Sequence, residues 1–350
     1  MAGRPRMADR APAAALRFYS RRSSKVGVAH GDAVKIVIPG GSGQVGQLVA
    51  REFAADSDEV VVLSRTDAVP AGRAVAWDGR TLGPWAAELE GADLVLNLAG
   101  RSVNCRYTAG NLREMMDSRV ESTRVLGEAI ARAARPPGVW LQMSTATIYA
   151  HRLDAPNDEA TGVIGGDEPD VPSYWEYSVR IARSWEGALA EARTPATRKV
   201  ALRTAMVMSP DHGGVFDVLL GLVRRGLGGQ AAGGRQFVSW IHDQDFVRAV
   251  RFLHDRGDIE GAVNVTAPGP LPQRELMRAL REAWGMRVGL PAARWMLELG
   301  AWALRTDTEL LLKSRRAVPG RLLGAGFAFA FPDWRLAAGD LVSRWRASRA

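Results

Sequence analysis

The chain has 350 residues, 47% of them apolar and 24% charged, with a single cysteine, Cys105. That composition excludes a disordered chain, a disulfide framework and a thiolate zinc cage; one cysteine suits a reducing, cytoplasmic setting, and no apolar run is long enough to span a membrane. The formal charge is +8, but the first 30 residues carry +6 of it, and the nearly neutral remainder argues against a nucleic-acid-binding surface.

Residues 1–32 read as a basic flexible arm. An organellar transit peptide and a start at Met7 are the other readings of this stretch, and its apolar run is cut short by Arg17, which argues against a secretory signal. From residue 33 short apolar runs alternate with longer helical stretches. Val34–Pro39 is a β-branched run, followed by a glycine-rich turn and a helix over Gln44–Phe53. Strands are expected at Glu59–Ser64, Ala74–Trp77 and Asp93–Leu98, then a helix over Met115–Ala134. A fifth strand is expected at Val139–Met143, a helix at Trp175–Ala192 and a sixth strand at Lys199–Val207. Strand–helix alternation with fully apolar strands means a parallel sheet covered on both faces. After a glycine-rich loop at Gly226–Gly234 come a short helix near Phe246–Asp255 and a strand at Ala262–Val265. Beyond Pro268 the chain reads as helical, with Trp295–Leu304 as an apolar core helix. The five histidines are scattered, with no metal-ligand spacing, so no metal site is expected.

The chemistry concentrates at strand ends. Gly40, Ser42, Gly43, Gln44, Val45 and Gly46 form a G-x-x-G-x-x-G turn between the first strand and the first helix. Glycine there permits a tight turn, close approach of backbone N–H groups to a pyrophosphate, and tight packing of helix on strand. Ser64-Arg65 ends the second strand, where NAD-binding proteins place an acid for the ribose 2′-hydroxyl. Arg65 there suits the 2′-phosphate of NADP(H), against the blander reading of a solvated arginine. Asp78 is placed either to accept from the adenine amino group or to lie in an exposed loop. Leu98, Ala99 and Gly100 close the fourth strand with small residues beside which ribose and phosphates can lie. Arg101 and Arg106 follow, facing phosphate or solvent. Ser144-Thr145-Ala146-Thr147 ends the fifth strand with hydroxyls where substrate would meet nicotinamide.

Together these residues resemble the short-chain dehydrogenase/reductase superfamily in its extended, epimerase-like form. The resemblance narrows to an atypical epimerase/dehydratase-like family that ends in a short domain of unknown function. It rests on Gly40–Gly46, Leu63–Arg65, Asn97–Gly100, Ser118–Val120 with Thr123, Trp185-Glu186 and Leu202-Arg203. Gly213-Gly214, Gly228-Gly229, Gln236, Ser239–His242 with Asp245, Asn264, Ala267-Pro268, Val318-Pro319 and Gly326-Phe327 extend it over about residues 34–335. The resemblance implies a Rossmann-like doubly wound parallel sheet binding NADP(H), with a smaller, mainly helical C-terminal substrate subdomain. The expected division is an NADP-binding domain over 33–265 and the C-terminal part over 266–350. The long acidic segment Ala150–Tyr174 departs from the family's short connection and is expected to cap the pocket.

The superfamily's proton donor is a Tyr-x-x-x-Lys pair, in which the ammonium lowers the phenol pKa. Of the four lysines, Lys25, Lys35, Lys199 and Lys313, none has a tyrosine four residues before it. Counting back from Trp185-Glu186, the tyrosine slot falls on Ser178 and the lysine slot on Ala182. Thr145 occupies the slot where relatives place a substrate-orienting hydroxyl, with Tyr177 or Tyr174 as the remaining proton donors. Reduction or isomerisation of a small carbonyl or hydroxyl compound is one expected function. A catalytically silent NADP(H)-binding sensor or scaffold is the other.

Overall fold

Side chains alternate cleanly along the central strands, and that alternation builds the core of the computed structural model, which describes residues 33–169, 171–172, 174–293 and 309–349. Along β1 (Lys35–Pro39), Ile36 and Ile38 point to one face and Val37 to the other. β2 (Glu59–Ser64) and β4 (Leu94–Asn97) repeat the pattern, with Val60, Val62, Leu94 and Leu96 opposite Val61, Leu63 and Val95. All of these side chains are at most 4% exposed, and a fully buried side chain of this size contributes roughly 1.5–3 kcal/mol. Because both faces are buried, the strands read as continuous β-branched runs rather than half-polar ones.

The sheet has seven parallel strands in the order β10-β6-β5-β4-β1-β2-β3, adding β3 (Arg73–Ala76), β5 (Val139–Thr145), β6 (Arg198–Thr204) and β10 (Gly261–Val265). This is the doubly wound order, whose reversal between β1 and β4 opens a crevice at the strands' carboxyl ends. α1 (Gln44–Ala55) and α5 (Asp243–Asp255) cover one face. α2 (Ala109–Arg132), α3 (Tyr174–Glu191) and the 3-10 turn Pro84–Leu89 cover the other. α2 starts six residues before the apolar periodicity does, because Thr108 caps it, accepting from the Asn111 N–H at 3.2 Å.

The expected sixth strand is split. β6 leaves the sheet after Thr204, and Met206–Met208 (β7) pairs instead with Trp240–His242 (β9) in a separate parallel ribbon. The break falls where Ala205 turns its N–H to the Val265 carbonyl. Phe237–Val238 (β8) pairs antiparallel with Leu271–Pro272 (β11).

The smaller part is mainly helical. α4 (Val215–Arg224), α6 (Gln273–Trp284), α7 (Glu309–Leu312), α8 (Gly320–Gly324) and α9 (Trp334–Ala347) make it, and α4, α6 and α9 share a core with β9. Asp333 caps α9 through the Arg335 N–H at 2.8 Å, and Gly285 ends α6 in the left-handed conformation at φ 85°. Residues 1–32 and the helix expected over Trp295–Leu304 lie outside the described residues. Among the described residues no helix is long and apolar enough to cross a membrane, and no cluster of metal-ligating side chains occurs.

Candidate functional site

At the carboxyl edge of the sheet, the ends of β1, β2, β3 and β4 wall a cleft of about 680 Å³. Gly40, Ser42 and Gly43 form its floor, Ser64 and Arg65 one end, Asp78 a side, and Leu98 to Arg101 the opposite rim. The turn is built around close approach. Gly40 has φ +76°, and a Cβ there would lie 2.6 Å from the Ala99 Cα; one on Gly46 would lie 2.4 Å from the Gly41 Cα. Gly43 caps α1 without a side-chain hydrogen bond, and no acidic residue stands in the first helical turn. The first N–H groups of α1, those of Gln44, Val45 and Gly46, are therefore left to an anion at the positive end of the helix dipole. Gln44 turns its side chain toward Gly214, where its Nε2 is buried with no hydrogen-bond partner among the described residues.

The charged rim residues differ in availability. Arg65 is exposed and makes no ion pair or hydrogen bond among the described residues. Arg101 is engaged: its guanidinium meets Glu114 and donates to Asn111 Oδ1 at 2.9 Å. Asp78 accepts from the Thr81 hydroxyl at 2.6 Å and from the Thr81 and Arg80 N–H groups, bonds that hold its carboxyl below the usual range. Under Gly100, Arg119 donates to the Met115 and Arg101 carbonyls, lies 5.0 Å from the Trp185 ring, and is pushed by burial down to about 10.

At the end of β5, Thr145 caps the 3-10 turn Ala146–Ile148, accepting from the Thr147 N–H at 3.1 Å. That bond uses a lone pair of the hydroxyl and leaves its proton for an outside acceptor. The neighbouring Ser144 is committed inward. Its Oγ donates to Glu186 Oε1 at 2.6 Å, and Glu186 holds Arg203 bidentately at 2.9 and 2.8 Å. Arg203 reaches the Tyr149 hydroxyl at 3.1 Å, which itself donates to Asn264 Oδ1 at 2.8 Å. Burial opposes the charge of Arg203, but Glu186 and Tyr149 outweigh it and its pKa is raised. Burial also raises the Tyr149 phenol above its ordinary value, so it serves as a neutral donor. This network locks the end of β5 to α3, β6 and β10.

The C-terminal segment closes the far side. Arg315 Nε donates to Thr147 Oγ1 at 2.9 Å and Lys313 Nζ to the Thr147 carbonyl at 3.0 Å. Ser178 Oγ on α3 donates to Glu309 Oε2 at 2.5 Å. The segment Ala150–Tyr174 folds back on Tyr149-Ala150, and its Asn157 bonds the backbone of Arg316 and Val318. The structure thus brings the expected cleft residues together, whereas Tyr177 lies 4.3 Å beneath the Arg180 guanidinium and makes no hydrogen bond among the described residues. The side chain of Tyr174 lies outside the described residues. Sequence reasoning missed Glu309, Lys313 and Arg315; the scarcity of lysine was the one signal that could have drawn attention to them.

Two family models match the chain: the NAD dependent epimerase/dehydratase family over residues 36–266, and a domain of unknown function (DUF1731) over 292–341. The epimerase family protein SDR39U1 of Bos taurus is 30% identical over 89% of this chain and 100% of its own. The crystal structure of human SDR39U1 (isoform 2), solved with NADPH, superposes with a TM-score of 0.76 at 26% identity, covering 89% of this chain and 99% of that one. A UDP-N-acetylglucosamine 4-epimerase from Bacillus cereus shares the fold, with a TM-score of 0.68 at 16% identity over 90% of this chain and 100% of that one. On its sequence, its sheet order and its glycine turn, the chain belongs to the NAD dependent epimerase/dehydratase family.

Proposed function

We infer that the chain binds NADP(H) in the cleft and uses it to reduce or isomerise a small carbonyl or hydroxyl compound. The observation that carries this reading is Arg65, a cation without a partner among the described residues at the end of β2, beside an uncapped glycine turn. The NADPH present in the human relative supports it. The residues fit the dinucleotide: the first-turn N–H groups of α1 would take the pyrophosphate. Arg65 would pair the 2′-phosphate, with Ser64 beside it, and Ala99 and Gly100 would let the sugar and phosphates lie against backbone.

When bound, the cofactor supplies or takes up hydride. Thr145, at the end of β5, would donate its hydroxyl proton to the substrate oxygen and so orient the carbonyl. Tyr177, turned under Arg180, is the weaker candidate for the proton donor. We assign residues 33–265 to the cofactor-binding domain and 266–350 to the C-terminal part, which with the Gly226–Asp245 loop would form the substrate wall. Fluorescence titration with NADPH and NADH tests the binding, and NADPH consumption across a panel of aldehydes and ketones tests the reaction. Ser178 and Ala182 at the tyrosine and lysine slots favour one other reading, a silent NADP(H) binder. Tight binding without turnover on any carbonyl would select it.

A further inference from the structure

Residues 313–318 run as a strip against the segment that follows β5, and one of the bonds holding them there depends on charge. The Ser314 N–H donates to His151 Nδ1 at 2.8 Å. A backbone N–H can only donate, so Nδ1 carries no proton, and the docked ring is the neutral imidazole with its hydrogen on Nε2. The other bonds of the strip carry no such condition. Ser314 Oγ donates to the Arg152 carbonyl at 3.0 Å, the Arg315 N–H to the Phe237 carbonyl at 2.8 Å, and the Val318 N–H to the Asn157 carbonyl at 2.9 Å. The Ala317 N–H donates to Ser239 Oγ at 2.8 Å.

We propose that His151 is an acid-released latch: the strip docks on its neutral ring, and protonation of Nδ1 frees residues 313–318 from the segment after β5. A protonated Nδ1 would set N–H against N–H, so the proton binds only as Ser314 lets go. One proton passes from water to Nδ1, and the Ser314 N–H turns to solvent. His151 is partly exposed in the docked state, and departure of the strip opens Nδ1 itself. What acid releases is Thr147, whose hydroxyl and carbonyl accept from Arg315 and Lys313. The cofactor cleft, lined by residues up to Ser122, keeps its walls. The latch therefore holds whatever ligand the cleft takes.

The charges around the ring set the direction. Lys313 and Arg315 face it from the strip. Glu168 faces it from its own segment and accepts from the His151 N–H at 2.7 Å. Trp175 of α3 adds an uncharged ring 5.2 Å away. Burial and the two cations oppose a charged imidazole, Glu168 favours one, and the net shift is downward. When the strip leaves it takes both cations with it, and the ring returns to about 6.5. Docking is thus at full strength above about pH 6.5 and weakens below it, by at most about tenfold per pH unit, until the docked ring takes a proton.

Hydrogen exchange on the full chain tests the latch, each rate being divided by the intrinsic rate at that pH. Protection of the Ser314, Arg315, Ala317 and Val318 amides should fall about tenfold between about pH 7.5 and 5.5. In His151→Asn, whose Oδ1 can accept from the same N–H and does not titrate, that fall should disappear. Protection that stays constant in the unaltered chain, or falls by the same factor in His151→Asn, overturns the proposal. The ring gives a second reading that needs no variant. In 15N-histidine spectra, His151, assigned by its coupling across the Ser314 bond, should be the neutral Nε2–H tautomer while the strip is protected. A ring protonated at Nδ1 with the strip still protected overturns the latch as well.

Discussion

Trp240 of β9 and Trp334 of α9 meet edge to face, their ring centroids 4.9 Å apart, and both are at most 2% exposed. Each indole N–H has a backbone acceptor, Gly269 for Trp240 and Leu276 for Trp334. Around them Phe216, Leu220 and Val223 of α4 pack with Leu276, Leu280 and Leu341. The last helix therefore shares its core with an element that precedes it by more than ninety positions.

It follows that residues 266–350 expressed alone should not fold, since Met208, Phe216, Leu220, Val223 and Trp240 supply five of the sixteen buried residues described in the core they share. In the full chain, Trp334→Ala should cost about 3–5 kcal/mol, read as a lowered urea midpoint. A cooperative thermal transition for the isolated fragment would refute the shared-core account.

Arg65→Glu should reverse cofactor preference. A charge-assisted bond to a 2′-phosphate contributes roughly 1.5–3 kcal/mol, or one to two decades of affinity. Fluorescence titration should show NADPH ahead of NADH by that margin in the unaltered protein and behind it in the variant. Equal affinities in the unaltered protein would remove Arg65 from the site.

Thr145→Val keeps the shape at the end of β5 and removes the hydroxyl. Once a reducible carbonyl is found, turnover should fall on the order of a hundredfold, with NADPH affinity unchanged. Because Tyr177 lies under Arg180, Tyr177→Phe should have a much smaller effect. Full activity in Thr145→Val would move the substrate oxygen elsewhere.

Acid should destabilise the fold through His242. Its ring is 0% exposed, stacks on Phe331 at 3.8 Å, and contacts Asp340 through Nε2 and Asp243 through Nδ1. Burial lowers its pKa and Arg344 adds to the lowering, while Asp243 and Asp340 oppose it; the net shift is downward. The unfolded chain therefore binds a proton at about pH 6.5 that the native state still refuses. Stability is flat in this group above that pH and falls as pH drops below it, by at most about 1.4 kcal/mol per pH unit, until the native value is reached. His151, also lowered by burial, adds to the slope in the same direction. Urea melts between pH 5 and 8 should show a shallower slope for His242→Gln than for the unaltered chain, and identical slopes would exclude His242 as the cause.

The fold was legible because burial on both faces makes each strand a nearly pure apolar run; Glu59–Ser64 can be read residue for residue. The split after Thr204 was not, because the apolar run continues through Ala205–Val207 with no Gly or Pro to mark a break, and the partner that draws off Met206–Met208 lies at Trp240–His242. The cofactor cleft was legible for a related reason: its residues sit at strand ends, where pattern and position coincide. Glu309 and Lys313 were passed over as site residues because nothing local marks them: Glu309 opens the four-residue α7 and Lys313 lies just past its end. Only the 131-residue separation bridged by Ser178 and Glu309 makes them part of the site.

The threading of residues 313–318 between Asn157 and Ser239 has a consequence for biosynthesis. The dinucleotide cleft is lined by residues up to Ser122, all of which leave the ribosome early. The strip that carries Lys313 and Arg315 is made well after them, and until it docks, the surfaces of Thr147 and Ser239 that it covers stay open to solvent. A nascent chain that has passed Ser122 but not Arg315 thus holds the residues of the cleft before the strip that packs on Thr147 and Ser239 exists.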